Sequence, residues 1–143
     1  MQHGDVKRVA AVEQASASPW SAQFIAGELN RPHGLQLVAV NDDETVLGWC
    51  CGLYVSPEAE LLKISVAPFQ RRCGVGTALL LRLEDGCRER GCESLFLEVR
   101  TANTAAIGLY QKLGYSTVGC RKNYYSNPQD DALILRKSLL SKT

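Results

Sequence analysis

The sequence predicts a mixed α/β fold, a central sheet with helices packed on it, in a single domain spanning residues 1–143. Three observations carry this prediction. Runs rich in β-branched and apolar residues at 35–40, 46–55, 61–67 and 95–99 read as strands. Apolar residues recurring every three or four positions at 5–14 and 75–87 read as helices. No repeat, low-complexity tract or linker interrupts them, and 143 residues suffice to bury a core without disulfides or metal.

In chain order, Val6, Val9, Ala10 and Glu13 share helical spacing over 5–14, and Pro19-Trp20-Ser21 marks the entry to a second short helix carrying Phe24, Ile25 and Leu29. Strands at 35–40 and 46–55 form a hairpin across the polar turn 41–44. Pro57 ends the second strand, and 61–67 gives a third, with Leu62, Ile64 and Val66 expected on one face. A long helix follows through Val75, Ala78, Leu79, Leu83 and Cys87, closed by Arg88-Glu89-Arg90-Gly91. Leu95, Leu97 and Val99 alternate as a strand. Asn103 then caps a helix over 105–113, and Gly114 stands where a left-handed residue would end it. Two strands at 115–124 and 132–139 close the chain around a turn at 127–130.

Composition excludes several classes. Hydrophobic residues at 45% and charged residues at 22% match ordinary globular proteins and argue against a disordered or fibrous chain. With 16 Lys and Arg against 15 Asp and Glu, the formal charge of +1 supplies no global field toward nucleic acid or anionic lipid. Any anion must be recognised locally. The apolar stretches are too short to span a bilayer and no basic segment leads into an apolar one at the N-terminus, so a cytoplasmic protein with no membrane partner is expected. Cys50, Cys51, Cys73, Cys87, Cys92 and Cys120 lack paired-loop spacing and are expected to be mostly buried thiols. His3 and His33 lie far from them in sequence, so no metal site is predicted. Cys73 falls in a loop, where a thiol is either oxidisable or a passive substitution.

That loop, Gln70-Arg71-Arg72-Cys73-Gly74-Val75-Gly76-Thr77, joins the third strand to the long helix. Two glycines let backbone N–H groups approach a ligand, the helix start adds partial positive charge, and Arg71 and Arg72 add charge-assisted donors. Physically this is a pyrophosphate cradle, or equally a glycine turn with solvated arginines. It lacks the Gly-Lys-Ser/Thr of a Walker loop and the third glycine of a dinucleotide fingerprint.

The pattern Arg71-x-x-Gly74-x-Gly76 after a strand resembles the acetyl-CoA signature of the GNAT acetyltransferases. Leu97-Glu98-Val99-Arg100, Asn103, Ala105-Ala106-Ile107, Leu109-Tyr110, Leu113-Gly114-Tyr115 and Arg121-Lys122-Asn123-Tyr124-Tyr125, with Pro19-Trp20-Ser21, are similar to the RimI-type N-terminal acetyltransferases over nearly the whole chain. The resemblance implies a GNAT fold, a mostly antiparallel sheet with helices on both faces, acting on acetyl-CoA and a protein or peptide N-terminus, including that of a ribosomal protein. It implies that Ile64, Ser65 and Val66 contact the acetyl and pantetheine arm, and that Arg71, Arg72, Cys73, Gly74, Val75, Gly76 and Thr77 hold the pyrophosphate. Asn103 aligns with a further cofactor contact, Glu98 with the general base, and Tyr110 with the general acid. Tyr124 and Tyr125 align with the stretch bordering the peptide site.

The residue types suit the chemistry. An α-amine is largely protonated near neutral pH, so a carboxylate must take a proton before nitrogen attacks the thioester. Strand alternation buries Leu95, Leu97 and Val99 and turns Phe96, Glu98 and Arg100 the other way; alone, Glu98 reads as a surface carboxylate paired with Arg100. Tyr110 can protonate or stabilise the leaving thiolate, or simply anchor helix to sheet beside Ala106 and Ile107. The tyrosine pair either sandwiches a peptide or packs on the sheet. Arg121 and Lys122 are too few charges for nucleic-acid binding.

The chain departs from the family's pattern at 1–4, which leaves almost no room for the extra first strand of RimI-type chains. The sheet is therefore expected to lack that strand, in a monomer or homodimer. Two other functions fit the same residues: acetylation of a small-molecule amine or lysine side chain, and a non-catalytic acetyl-CoA-binding module.

Overall fold

A computed structural model of the chain describes residues 1–16, 19–70 and 74–140. A single 3-10 turn leads into α1 (Val6–Glu13), and α2 (Ala22–Glu28) starts at Ser21, whose hydroxyl accepts from the Phe24 N–H at 3.1 Å. The hairpin of β1 (Gly34–Val40) and β2 (Val46–Val55) closes where Asn41 Oδ1 accepts from the amides of Asp43 and Thr45. Next come β3 (Glu58–Val66), α3 (Val75–Glu89), β4 (Ser94–Arg100), α4 (Thr104–Lys112), β5 (Ser116–Tyr125) and β6 (Asp130–Ser138). The third strand begins before the expected 61–67 because pairing resumes immediately after Pro57, at Val55↔Glu58.

The sheet order is β1-β2-β3-β4-β6-β5, antiparallel everywhere except between β3 and β4. The last strand thus inserts between the fourth and fifth. This is the mixed, mostly antiparallel sheet that the sequence resemblance implies. Among the described residues no strand precedes α1, and the sheet starts at β1.

Helices cover both faces, and β2 shows it directly. Cys50 faces a core with Leu79, Leu80, Leu83, Leu95, Leu97 and Leu135, under α3 and α4. Its neighbours Trp49 and Cys51 face a second core with Val9, Ile25 and Val46, under α1 and α2. On α3 the buried positions are Leu79, Leu80, Leu83, Glu84 and Cys87, whereas the expected Ala78 is exposed. Glu84, fully enclosed, accepts from the Tyr115 hydroxyl at 2.9 Å and from Lys137 Nζ at 2.7 Å, tying α3 to the last two strands.

One expectation fails for a local reason. Opposite Cys51 and Gly52, β3 carries an extra residue, so Lys63 pairs with Cys51 and Leu61 with Gly52. This bulge breaks the alternation. Leu62 therefore packs in the Trp49 core while Ile64 packs in the Leu83 core, on opposite faces.

Cys50, Cys51, Cys87 and Cys92 are buried free thiols, and burial pushes Cys50 and Cys87 up to about 12, which keeps them protonated and inert. Most of the described cysteines are thus buried as expected, and Cys120 is the exception, free and exposed. No helix among the described residues is long and apolar enough to cross a membrane.

Gly48 sits where β3 and α3 both come close to β2. A Cβ there would lie 2.8 Å from the Ser65 carbonyl oxygen and 3.2 Å from Leu79 Cδ1. Gly48→Ala is expected to cost roughly 1–3 kcal/mol of stability through overpacking, read as a lowered urea midpoint; an unchanged midpoint would show that the contact yields freely.

Candidate active site

β3 and β4 pair at only three positions, Glu58↔Ser94, Ala59↔Leu95 and Glu60↔Phe96. Beyond them the two strands share no pairing. The side of β3 facing β4 thus carries backbone donors and acceptors with no strand partner among the described residues, an edge on which an extended polar chain can form ladder hydrogen bonds. A cleft of about 580 Å³ fills the gap.

This cleft gathers residues far apart in sequence. Ile64 and Ser65 line it from β3; Glu98 from β4; Asn103 and Tyr110 from the cap and body of α4; and Tyr124 and Tyr125 from the end of β5. Trp20 and Phe24 form its opposite wall, packed edge-on at 4.7 Å between centroids. Val66 instead turns toward α3, where its Cγ2 would stand 3.6 Å from a Cβ on Gly76.

The α3 start lies beyond the end of β3, outside the cleft lining. Gly74 takes the left-handed conformation at φ +83°, with no side-chain cap on the helix and nothing within 4 Å of where its Cβ would be. Val75, Gly76 and Thr77 form the first turn at the positive end of a fifteen-residue helix, where backbone N–H groups have no partner within the helix. Backbone edge and helix terminus together suit a polar tail ending in a diphosphate, as in coenzyme A. Arg71, Arg72 and Cys73 lie outside the described residues.

Glu98 projects away from the buried Leu95, Leu97 and Val99, as strand alternation requires, and its side chain is 20% exposed. It pairs with Arg121 rather than Arg100: Arg121 Nε stands 3.1 Å from Glu98 Oε1. Arg100 donates to the Pro128 carbonyl at 2.7 Å and lies 4.2 Å over the Tyr125 ring. The negative charge of nearby Glu98 pushes the Tyr124 phenol up from its ordinary value.

Tyr110 is more enclosed than a half-buried anchor, at 7% exposure, with its ring edge-on to Tyr115 at 5.8 Å. Burial pushes its phenol up to about 12, so it stays protonated and able to donate. Asn103 Oδ1 accepts from the Ala106 N–H at 3.2 Å, which makes it the cap of α4 as well as a cleft residue.

Sequence reading missed Glu60 and Lys63, both on the cleft wall. Glu60 also borders, with Glu98 and Arg121, an adjoining cavity of about 260 Å³. Partial desolvation first, and the charge of Glu98 second, push the Glu60 carboxyl up from its ordinary value. Glu60 lay before the expected start at 61, since β3 begins earlier, and the bulge at Leu62 hid the face of Lys63. Among the described residues no group of three or more His, Cys, Asp or Glu is placed to hold a metal ion.

Known proteins resemble this chain in sequence and in fold. The profile of the acetyltransferase (GNAT) family matches residues 7–115. A ribosomal protein bS18-alanine N-acetyltransferase of Salmonella typhimurium is 40% identical over 127 residues, covering 86% of this chain and 83% of the relative. The crystal structure of the ribosomal-protein-S18-alanine N-acetyltransferase from Escherichia coli superposes with a TM-score of 0.88 at 33% identity, covering 100% of this chain and 93% of that one. The crystal structure of a nourseothricin acetyltransferase gives 0.71 at 30% identity over 76% of this chain and 67% of that one.

The Glu60 shift makes a pH-dependent prediction. A carboxyl whose folded value is raised favours folding below its unfolded value, about 4.3, and loses that contribution as pH rises through the folded value. Glu60→Gln is therefore expected to gain thermal stability relative to the wild type at pH 7 but not at pH 4, in melting curves at the two pH values. A gain confined to pH 4 would reverse the assignment.

Proposed function

Because this chain belongs to the acetyltransferase (GNAT) family, we propose that, as a single catalytic domain, it transfers the acetyl group of acetyl-CoA to the N-terminal α-amine of a ribosomal protein. That it is an acetyl-CoA-dependent N-acetyltransferase follows from the family; the acceptor follows from the likeness to the bS18-alanine acetyltransferases along nearly the whole chain. The observation that carries the reading is the meeting of Glu98 and Tyr110 in one cleft beside the unpaired edge of β3.

On this reading Ile64, Ser65 and Val66 present backbone groups to the pantetheine arm. The loop 71–77 holds the diphosphate against the start of α3, with Arg71, Arg72 and Cys73 completing it, and Asn103 adds a contact from α4. Tyr124 and Tyr125 flank the incoming peptide N-terminus. The Glu98–Arg121 pair holds the carboxylate in the cleft until the acceptor's ammonium group replaces the guanidinium as its partner.

Glu98 takes one proton from the acceptor nitrogen as general base, and the freed lone pair attacks the thioester carbon. A carbon–nitrogen bond forms as the carbon–sulfur bond breaks. Tyr110 acts as general acid toward the departing sulfur. Burial keeps its phenol protonated, so it can donate a hydrogen bond to sulfur as negative charge develops there and pass its proton to the leaving thiolate, regaining one from solvent.

Acetylation of a small-molecule amine is the second reading, favoured by the likeness to the nourseothricin acetyltransferase. The two acceptors leave different products. With a peptide beginning in alanine, the wild type is expected to release coenzyme A and to yield a product acetylated on the α-nitrogen by mass spectrometry. Glu98→Gln and Tyr110→Phe are each expected to lower kcat by about a hundredfold. Acetylation of only lysine side chains or small amines would support the second reading, and binding without any turnover would leave a cofactor-binding module.

A further inference from the structure

Behind the Trp20 wall of the cleft stands Glu13, wholly buried and absent from any role assigned above. Its Oε2 accepts from the Trp20 backbone N–H at 2.7 Å, with the Ser16 hydroxyl at a longer 3.5 Å. Its Oε1 accepts from the Trp49 indole N–H at 3.2 Å and from the Ser65 hydroxyl. Lys63 Nζ stands 3.8 Å from Oε2. Every one of these partners is a donor, and Ser16, Trp20, Lys63 and Ser65 all line the cleft.

From this geometry we infer that Glu13 is a positioning residue for the acceptor: its carboxylate fixes the Trp20 amide at the entry to α2, and with it the Trp20 and Phe24 rings, against the cofactor strand. The inference deepens the reading of the cleft as the acceptor site and rests on it. The two sides that Glu13 joins depend on it unequally. β3 keeps its ladder to β2 through Trp49↔Ser65 whatever occupies position 13. The described residues of the α1–α2 loop have no strand pairing, and the amide of Trp20 enters the structure through the carboxylate.

A buried carboxylate bonded by charge-assisted hydrogen bonds holds its partners more firmly than a neutral group would. A glutamine at this position fills the same volume but turns an N–H toward at least one of the donors, and the indole and backbone N–H groups cannot reverse to accept. With the glutamine N–H on one side the Trp20 amide loses its acceptor, and on the other the Trp49 indole packed against the Trp20 ring does, so either way Trp20 loses part of its anchor. The Trp20 ring, edge-on to Trp49 at 5.8 Å and to Phe24 at 4.7 Å, shifts as a result. The pyrophosphate cradle at the far end of β3 is untouched.

Steady-state kinetics of Glu13→Gln test this. The expected result is a rise of about tenfold or more in KM for the alanine peptide, with kcat and the KM for acetyl-CoA changed by less than about threefold. A purely structural role would lower kcat and thermal stability with both KM values unchanged, and that outcome overturns the proposal, as does an equal rise in both KM values. Hydrogen exchange on the wild type gives a second measurement that needs no variant to fold. The Trp20 amide is expected to exchange as slowly as the ladder amides of β2 before any peptide is added, and exchange at the rate of an open loop overturns the inference. A wild type that acetylates no peptide would sink the acceptor reading, whereas the Trp20 exchange rate judges the Glu13 anchor by itself.

Discussion

The parting of β3 from β4 after Glu60 and Phe96 is the constraint from which the rest of the site follows. Parallel strands joined by a helix ordinarily stay paired along their length, and here they hold for three positions. Leaving the β3 edge without a strand partner is costly unless something polar occupies it. The same parting lets residues from α2, β3, β4, α4 and β5 face one space. Insertion of β6 between β4 and β5 then places Arg121 one strand removed from β4, within reach of Glu98 across the register Arg100↔Ala132↔Arg121.

Charge in the cleft is arranged as local pairs rather than as a field. Glu98 faces Arg121, Glu28 faces Arg31 at 3.1 Å, and Lys63 stands beside Glu13, all in a chain whose net charge is only +1. Paired charges can stand in a partly dry site at lower desolvation cost than single ones. The pair with the more exposed cation, Glu98 and Arg121, can exchange that cation for an incoming ammonium. Glu13 lies wholly inside and cannot. This difference in burial separates a carboxylate suited to meet substrate from one suited to hold a wall.

The neutral groups divide in the same way. Tyr110 is enclosed and keeps its proton; Tyr124 is exposed and feels the charge of Glu98. Asn103 combines a cap for α4 with a place in the cleft, so one side chain couples the direction of that helix to the site. Gly74 and Gly48 serve opposite ends of the argument. The first needs a left-handed backbone in open space, and the second needs the absence of a side chain between strand and helix.

By itself the sequence determined the elements, because helix and strand periods, caps such as Ser21 and Asn103, and turns such as 41–44 are set by neighbours within a few residues. It also determined the family through motifs that stand close together in the chain, and the outward aspect of Glu98 through simple alternation. Tertiary structure alone decided the faces of Leu62 and Ile64, since a bulge depends on the register of a partner strand. It likewise gave Glu98 its partner in Arg121 rather than Arg100, and turned Glu13 from one more residue at helical spacing into the hub of the Trp20 wall. The contacts of Glu98 with Arg121 and of Glu13 with Trp49 and Ser65 join residues 23 to 52 positions apart, and no local period encodes which distant side chains a folded sheet will bring face to face.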